Sequence, residues 1–515
     1  MERKSILFET EGTYPFVGGG VSTWADILVN NLKDFDFYIY AVTGMPYMEY
    51  KYKLPENVKL VRQIPLWGSE EPFEDIFFEI PFSSIYIRKM KVNERVVLRK
   101  FIPIFIEFLS SLMNPFSDPE ECAGYIWLMH RYFSEYDYKQ TFKSFIVWQE
   151  FRRLIVLKYF EENSFLSEDE IPSVYDLTLA MRWLYHYLMP LYVDVPEVDL
   201  SHATAAGFSG LPSVVAKMRD GTPLVVTDHG VFARERYIGV GSEKNLSFFA
   251  KKFLINLSIL ISKVLYKLAD RVLPVCRFNT TWEKIFGVEE GKIKVIYNGV
   301  DPEVFQPKPK PEKTRKFPTV VAAARVMPLK DIETMIKASA IVREEIPNVK
   351  FIVYGSLDAD PVYTKKCQLL IKELKLEDTF ILAGHHSKPS EIYNEGDISV
   401  LSSISEGFPY TVIESMACAR PVVATDVGGV REALEGFGII VKPRDPKALA
   451  EGVIKLLKDN ELRETLGRRA REQVLAKFRI DTSVEQYREV YNELIQLKKG
   501  SRDEGGVYIA TYAEN

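Results

Sequence analysis

The stretch DISVLSSISEGFPYTVIESMACARPVVATD, Asp397 to Asp426, carries an apolar strand (Ile398 to Leu401), a polar loop, a helix and a second apolar strand (Pro421 to Ala424). Pro409 suits the first turn of that helix, and Val412, Ile413, Met416 and Ala417 recur at a helical period behind it. A strand, a loop, a helix and another strand in thirty residues or so is the unit of a parallel sheet. The loop holds Glu406, and the helix holds Glu414. A glutamate near a helix start also favours the exposed amides and the positive dipole end, so the pair by itself leaves a structural and a chemical reading open.

The same alternation extends upstream. Strands are expected at Thr319 to Ala323, Lys350 to Tyr354 and Thr379 to Leu382, with helices at about Ile332 to Arg343 and Tyr363 to Leu374. Before them, QPKPKPEKTRKFP (Gln306 to Pro318) is rich in proline and basic residues and reads as an extended linker after the turn YNGVD.

The N-terminal part begins in the same way. A short strand (Ser5 to Phe8), a glycine loop, a helix (about Val21 to Leu32) and a strand (Phe37 to Val42) open a second parallel domain. From about Trp67 to Pro196 aromatic and charged residues fall at helical spacing, which predicts a mainly helical insertion. Alternation resumes with a strand at Leu224 to Thr227, followed by Asp228, His229 and Gly230, then strands at Arg271 to Val275 and Ile293 to Ile296. The expectation is an α/β chain of two doubly wound, Rossmann-like domains: residues 1–306 with the insertion at about 67–196, then 307–480. A C-terminal helix and tail, 481–515, is expected to pack back on the first domain.

A chain of 515 residues exceeds one ordinary core. Its 66 basic and 71 acidic side chains leave a charge of −5, which argues against nucleic acid as a partner. The four cysteines stand far apart and outside any metal or redox spacing, so free, buried thiols in a reducing compartment are expected. The N-terminus lacks a signal-peptide core, and no run reaches the roughly 20 apolar residues of a membrane span. A cytoplasmic protein is the expectation. The apolar segment FFAKKFLINLSILISKVLYKLADRV reads as a core helix.

In parallel sheets ligands bind beyond the carboxyl ends of the strands. The residues there are Gly18, Gly19, Gly20 and His229 in the first domain. In the second they are Arg325, Lys330, Gly355, Gly384 and the Glu406 to Glu414 element. Three glycines entering a helix admit an anion or a carbonyl oxygen, although GGGVSTW lacks the third glycine of the dinucleotide fingerprint. Arg325 and Lys330 suit a diphosphate, one by paired hydrogen bonds and the other as a point charge. His229 is equally compatible with a cleft and with a core. Asp358 and Asp360, in DAD, fit a polar turn better than a metal site, and no metal is expected.

Taken together, EGTYPFVGGGVSTW, TDHGVFARER, YNGVD, the Arg325 and Lys330 pair and SEGFPYTVIESMACARPVVATDVGG resemble the family 4 retaining glycosyltransferases of GT-B fold. The N-terminal motif and the insertion are similar to the PelF-type branch, associated with exopolysaccharide synthesis from UDP-glucose. The resemblance implies two domains facing a cleft and a nucleotide-sugar donor, with no cofactor required. It implies that Glu406 faces the donor sugar, that the amides from Gly407 through Phe408 and Pro409 to Tyr410, with Thr411, hold hydroxyls and phosphate, and that Glu414 holds the ribose. Arg325 and Lys330 would bind the diphosphate, Gly18 to Gly20 would border it, Gly384 and His385 would lie near the base, and His229 would orient a hydroxyl or the acceptor. Gly18 stands where the PelF-type pattern has Arg, so that side chain's contact is absent.

The acceptor implied is a glycan or small molecule, and association with a membrane polysaccharide-export complex at the inner face of the membrane is a further expectation. Two other readings fit the same architecture: a nucleotide-sugar 2-epimerase, and a non-catalytic nucleotide-sugar-binding subunit.

Overall fold

A computed structural model describes residues 3–69, 71–72, 80–162 and 171–503. Parts of the expected insertion and the tail beyond residue 503 lie outside the described residues. The chain divides into two compact units: residues 1–274, 280–294 and 488–515 form the first, and residues 275–279 and 295–487 the second.

The first unit is built on six parallel strands: β1 (Lys4–Glu11), β2 (Phe35–Thr43), β3 (Val58–Pro65), β4 (Leu200–Ala203), β5 (Leu224–Asp228) and β6 (Arg271–Pro274), in the order β3-β2-β1-β4-β5-β6. The central strands are buried along most of their length, as a sheet covered on both faces requires. Ile293 to Ile296, expected as a strand, contributes only an isolated bridge from Ile293 to Val272, because the chain passes to the second unit after Lys294.

Between β3 and β4 the described residues are mainly helical, with long helices at Ile102–Met113, Pro119–Glu135, Phe145–Glu162 and Val174–Tyr187. Local sequence starts them: Asp118 accepts from the amide of Glu120 with Pro119 in the first turn, and Ser173 and Asp176 form a capping box. Phe101, Phe105, Phe133, Tyr138 and Phe142 build an aromatic core that is continuous with the sheet core. The helix Phe248–Leu268 buries Phe253, Leu257, Ile261 and Leu265 in that same core. Among the described residues no helix is long and apolar enough to cross a membrane. From Arg488 the C-terminal helix belongs to this unit, where Tyr491 OH lies 2.5 Å from His202 Nδ1 and Arg271 pairs with Glu493 at 2.6 Å.

The second unit repeats the topology with β7 (Thr319–Ala323), β8 (Lys350–Tyr354), β9 (Phe380–Gly384), β10 (Ile398–Leu401), β11 (Val422–Thr425) and β12 (Ile439–Val441), in the order β12-β11-β10-β7-β8-β9. All pairings are parallel. Counted from its own first strand, each sheet reads 3-2-1-4-5-6, so the chain reverses its direction of travel between β1 and β4 in one and between β7 and β10 in the other. The segment Gln306 to Pro318 is not the extended linker expected from its prolines. It contains a helical turn, Glu312–Arg315, and is fastened to the second unit: Lys308 N donates to Asn394 Oδ1 at 2.7 Å, and Lys310 Nζ pairs with Asp397 Oδ2 at 2.7 Å.

Candidate active site

The switch point of a doubly wound sheet opens a crevice at the carboxyl ends of its two diverging strands, and this is where such folds bind ligands. In the second unit β7 delivers Arg325 and the turn Pro328–Lys330, and β10 delivers the loop from Ser402 to Pro409. The two are tied together. Ile404 N donates to Leu329 O at 2.9 Å, and Ser402 Oγ donates to Lys330 O at 2.8 Å. Lys330 Nζ then reaches Glu406 Oε1 at 2.6 Å, and the buried Ser403 donates its hydroxyl to the same oxygen at 2.5 Å. Arg325 is exposed and has no hydrogen bond or ion pair among the described residues, so its guanidinium is available to an anion.

Pro409 is the residue before the helix Tyr410–Ala417 rather than its first helical residue. Having no N–H, it cannot share in an amide cradle, which corrects the expectation for Gly407 to Tyr410; the helix's leading donors are the amides of Tyr410 and Thr411. Thr411 Oγ1 is closed from solvent and has no hydrogen-bond partner among the described residues. Phe408 turns its ring into the core against Tyr297 and Phe478, so only its backbone can serve a ligand. Glu414 accepts from Tyr393 OH at 2.6 Å, and burial, partly offset by that bond, raises its carboxyl to about 7. Glu406 and Glu414 therefore have separate partners: a lysine and a serine for one, a tyrosine for the other.

Gly355 lets β8 pass against the backbone before Arg325, since a Cβ there would lie 2.0 Å from Ala324 O. Gly384, at φ +76°, ends β9, and its carbonyl accepts from Gly355 N at 2.9 Å; His385 follows, exposed. Asp360 caps the helix Pro361–Glu373 by accepting from Tyr363 N at 2.9 Å, a structural use of the DAD turn.

In the first unit the corresponding crevice is a cavity of about 670 Å³ bordered by Glu11, Thr13, Thr204, His229 and Arg236. His229 follows β5, and its ring meets Trp24 edge-on at 4.4 Å; Trp24 comes from the helix Gly20–Asn31 that the glycine loop begins. His229 Nε2 is closed from solvent and has no hydrogen-bond partner among the described residues. Burial lowers its imidazole to about 3, so the ring is neutral near pH 7. Gly19 is the residue before that helix and Gly20 its first. A Cβ on Gly18 would lie 2.7 Å from Lys51 Nζ, so an ammonium stands beside Gly18.

Lys51, Ser403, Tyr393 and Gly428 escape a linear reading. Gly428, in the DVGG motif, has φ +55°, and a Cβ there would lie 1.9 Å from Glu406 O; Gly429 N donates to Gly407 O at 2.7 Å. The glycine pair thus supports the Glu406 loop from beneath, a role that the two consecutive glycines near the strand end hint at.

Residues 4–290 match the family described as "Domain of unknown function (DUF3492)", and residues 303–473 match "Glycosyl transferases group 1". The chain is 25% identical over 338 residues to an N-acetyl-alpha-D-glucosaminyl L-malate synthase of Bacillus anthracis, covering 64% of this chain and 82% of that protein. It is 32% identical over 178 residues to the capsular polysaccharide biosynthesis glycosyltransferase CapM of Staphylococcus aureus, covering 34% of this chain and 46% of CapM. Among solved structures, HepE of Anabaena in complex with UDP and glucose aligns with a TM-score of 0.58 at 15% identity, over 95% of this chain and 100% of HepE. Sucrose-phosphate synthase of Thermosynechococcus elongatus aligns with a TM-score of 0.59 at 16% identity, over 96% of this chain and 100% of that one. At these identities the structural likeness is one of fold, the GT-B architecture.

Proposed function

We propose, from the premise that the chain belongs to the DUF3492 family over residues 4–290 and matches the group 1 glycosyl transferases over residues 303–473, that it moves a hexosyl unit from UDP-glucose or a related UDP-sugar to a hydroxyl acceptor with retention at the anomeric carbon. The observation that carries this reading is the Ser403, Glu406 and Lys330 constellation at the second switch point, with Arg325 unpaired beside it. HepE, similar in fold, binds UDP and UDP-glucose.

In this reading the second unit holds the donor. Arg325 and Lys330 take the diphosphate, the helix start at Tyr410 and Thr411 faces the sugar and phosphate, Glu414 accepts from the ribose hydroxyls, Gly384 and His385 lie near the base, and Glu406 contacts the sugar. As the bond from the anomeric carbon to the phosphate oxygen breaks, positive charge grows on the sugar and negative charge on the departing UDP. The two cations and the helix amides stabilise that leaving group most. The acceptor oxygen bonds to the anomeric carbon on the face that UDP leaves, and its proton passes to the departing phosphate oxygen. The first unit receives the acceptor, with neutral His229 orienting a hydroxyl.

The family 4 and PelF-type assignment, and a role in exopolysaccharide synthesis beside a membrane export complex, belong to the same proposal and rest on the motifs EGTYPFVGGGVSTW and SEGFPYTVIESMACARPVVATDVGG. Incubation with UDP-glucose and an acceptor, followed by proton NMR of the product, tests the reaction. An α-linked product supports it. A β-linked product would refute retention, and free UDP with an epimerised sugar would replace transfer by epimerisation.

A further inference from the structure

Among the described residues, the walls of the cavity at the first switch point hold the carboxyl groups of Glu11, Glu235 and Glu243 and the guanidinium of Arg236. Burial raises the Glu11 carboxyl above its ordinary value, and the Arg236 guanidinium opposes that rise. Arg236 is already engaged: Nη2 lies 3.7 Å from Glu11 Oε1, and the guanidinium stands over the rings of Phe232 and Tyr187, at 5.2 and 5.7 Å. Glu11 Oε2 also accepts from Ser209 N at 3.3 Å, which holds the carboxylate at the end of β1. Glu235 lies against Gly230, where an added Cβ would come 2.0 Å from its Oε1. Among the described residues, His229 Nε2 and Thr13 Oγ1 in the wall have no hydrogen-bond partner, and both are closed from solvent. A neutral imidazole and a hydroxyl exchange hydrogen bonds with alcohols and offer an oxyanion no charge.

We propose that this cavity selects the acceptor by charge, admitting a neutral or amino-bearing sugar or polyol and rejecting one with a carboxylate or phosphate close to its accepting hydroxyl. The inference rests on the reading that the first unit receives the acceptor. Like charges brought together oppose binding, and among the described lining residues the guanidinium of Arg236 is paired with Glu11. Glu11 is therefore a specificity-determining residue: its removal frees Arg236. The relative from Bacillus anthracis is named for transfer to L-malate, a dicarboxylic acid, so the rejection predicted here separates this chain from a protein to which it is 25% identical.

The test uses the full chain with UDP-glucose and four acceptors on one scaffold: methyl glucoside, glucosamine, glucuronate and glucose 6-phosphate. The expected result is transfer to the first two, with kcat/KM for the anionic pair lower by about 100-fold. Glu11→Gln should narrow that ratio by about tenfold, as should Glu243→Gln, an exposed position whose replacement spares the fold. Equal or better use of the anionic pair would overturn the inference. So would failure to use either neutral or amino acceptor, or variants that leave the ratio unchanged. Calorimetry with UDP on the same preparations reports separately on the donor reading: lost nucleotide binding would sink that reading, whereas a wrong charge preference with UDP still bound would sink only this one.

Discussion

Lys330 Nζ lies 2.6 Å from Glu406 Oε1, joining residues 76 positions apart in sequence at the end of β7 and the loop after β10. An ammonium has three donors, so Lys330 can keep the carboxylate in place while turning its others toward a diphosphate. Lys330→Ala then removes the proposed phosphate ligand and leaves a mostly buried carboxylate without its counter-charge. Initial-rate measurements should show kcat/KM down about 100-fold, with UDP affinity weakened as well. Glu406→Ala should lower kcat by a comparable factor while UDP binding, followed by calorimetry, stays near wild type.

Ser403 acts through Glu406 by taking the same carboxylate oxygen at 2.5 Å. Losing that bond costs about 1–2 kcal/mol of positioning, so Ser403→Ala should lower kcat roughly five- to thirtyfold with KM for the donor little changed. An equal loss in nucleotide affinity would assign Ser403 to donor binding instead.

Glu414 should make donor affinity pH-dependent. Burial raises its carboxyl to about 7, and the proposed ribose hydroxyls would bond more strongly to the ionised form. UDP-sugar affinity should rise as pH increases through about 7, and Glu414→Gln should flatten that rise while weakening the donor. The sign for folding is the opposite. A raised folded value means stability from this group is full below the unfolded value of 4.5 and is lost as pH climbs through about 7, so the same substitution should flatten thermal stability over that window.

His229 is neutral, because burial places its titration near pH 3. The pH profile of turnover should therefore carry no imidazole inflection between about pH 5 and 8 that His229→Asn removes. His229→Ala should cut transfer at least tenfold, with UDP binding intact.

Gly428 supports the Glu406 loop at a left-handed φ of +55°, with Glu406 O where a Cβ would go. Gly428→Ala should cost about 2 kcal/mol or more by strain and overlap, and lower kcat through the displaced loop. A melting curve and an activity assay on the same sample check both.

Legibility in the sequence followed burial. Thr319–Ala323, Lys350–Tyr354 and Ile398–Leu401 are short apolar runs in the middle of a covered sheet, and their pattern alone places them to the residue. β3 was not read because an edge strand half exposed along VKLVRQI shows neither a continuous run nor a clean alternation. β12 was not read because three residues are too short for any period. Ile293 to Ile296 has a strand's composition, but outside a bridge at Ile293 it finds no neighbour. At the candidate site, the residue types at strand ends were visible, whereas their pairing was not. Nothing in the linear order tells that Lys330 meets Glu406, that Tyr393 meets Glu414, or that Lys51 fills the space beside Gly18.

The most direct test of the central claim is titration calorimetry of the full chain with UDP, GDP, UDP-glucose and UDP-N-acetylglucosamine, with and without EDTA, repeated on Arg325→Ala. The account predicts uridine-selective binding that survives EDTA and weakens at least tenfold in the variant, as loss of a charge-assisted phosphate contact should. Folded protein that binds none of these nucleotides, or binds them equally well without Arg325, would contradict it.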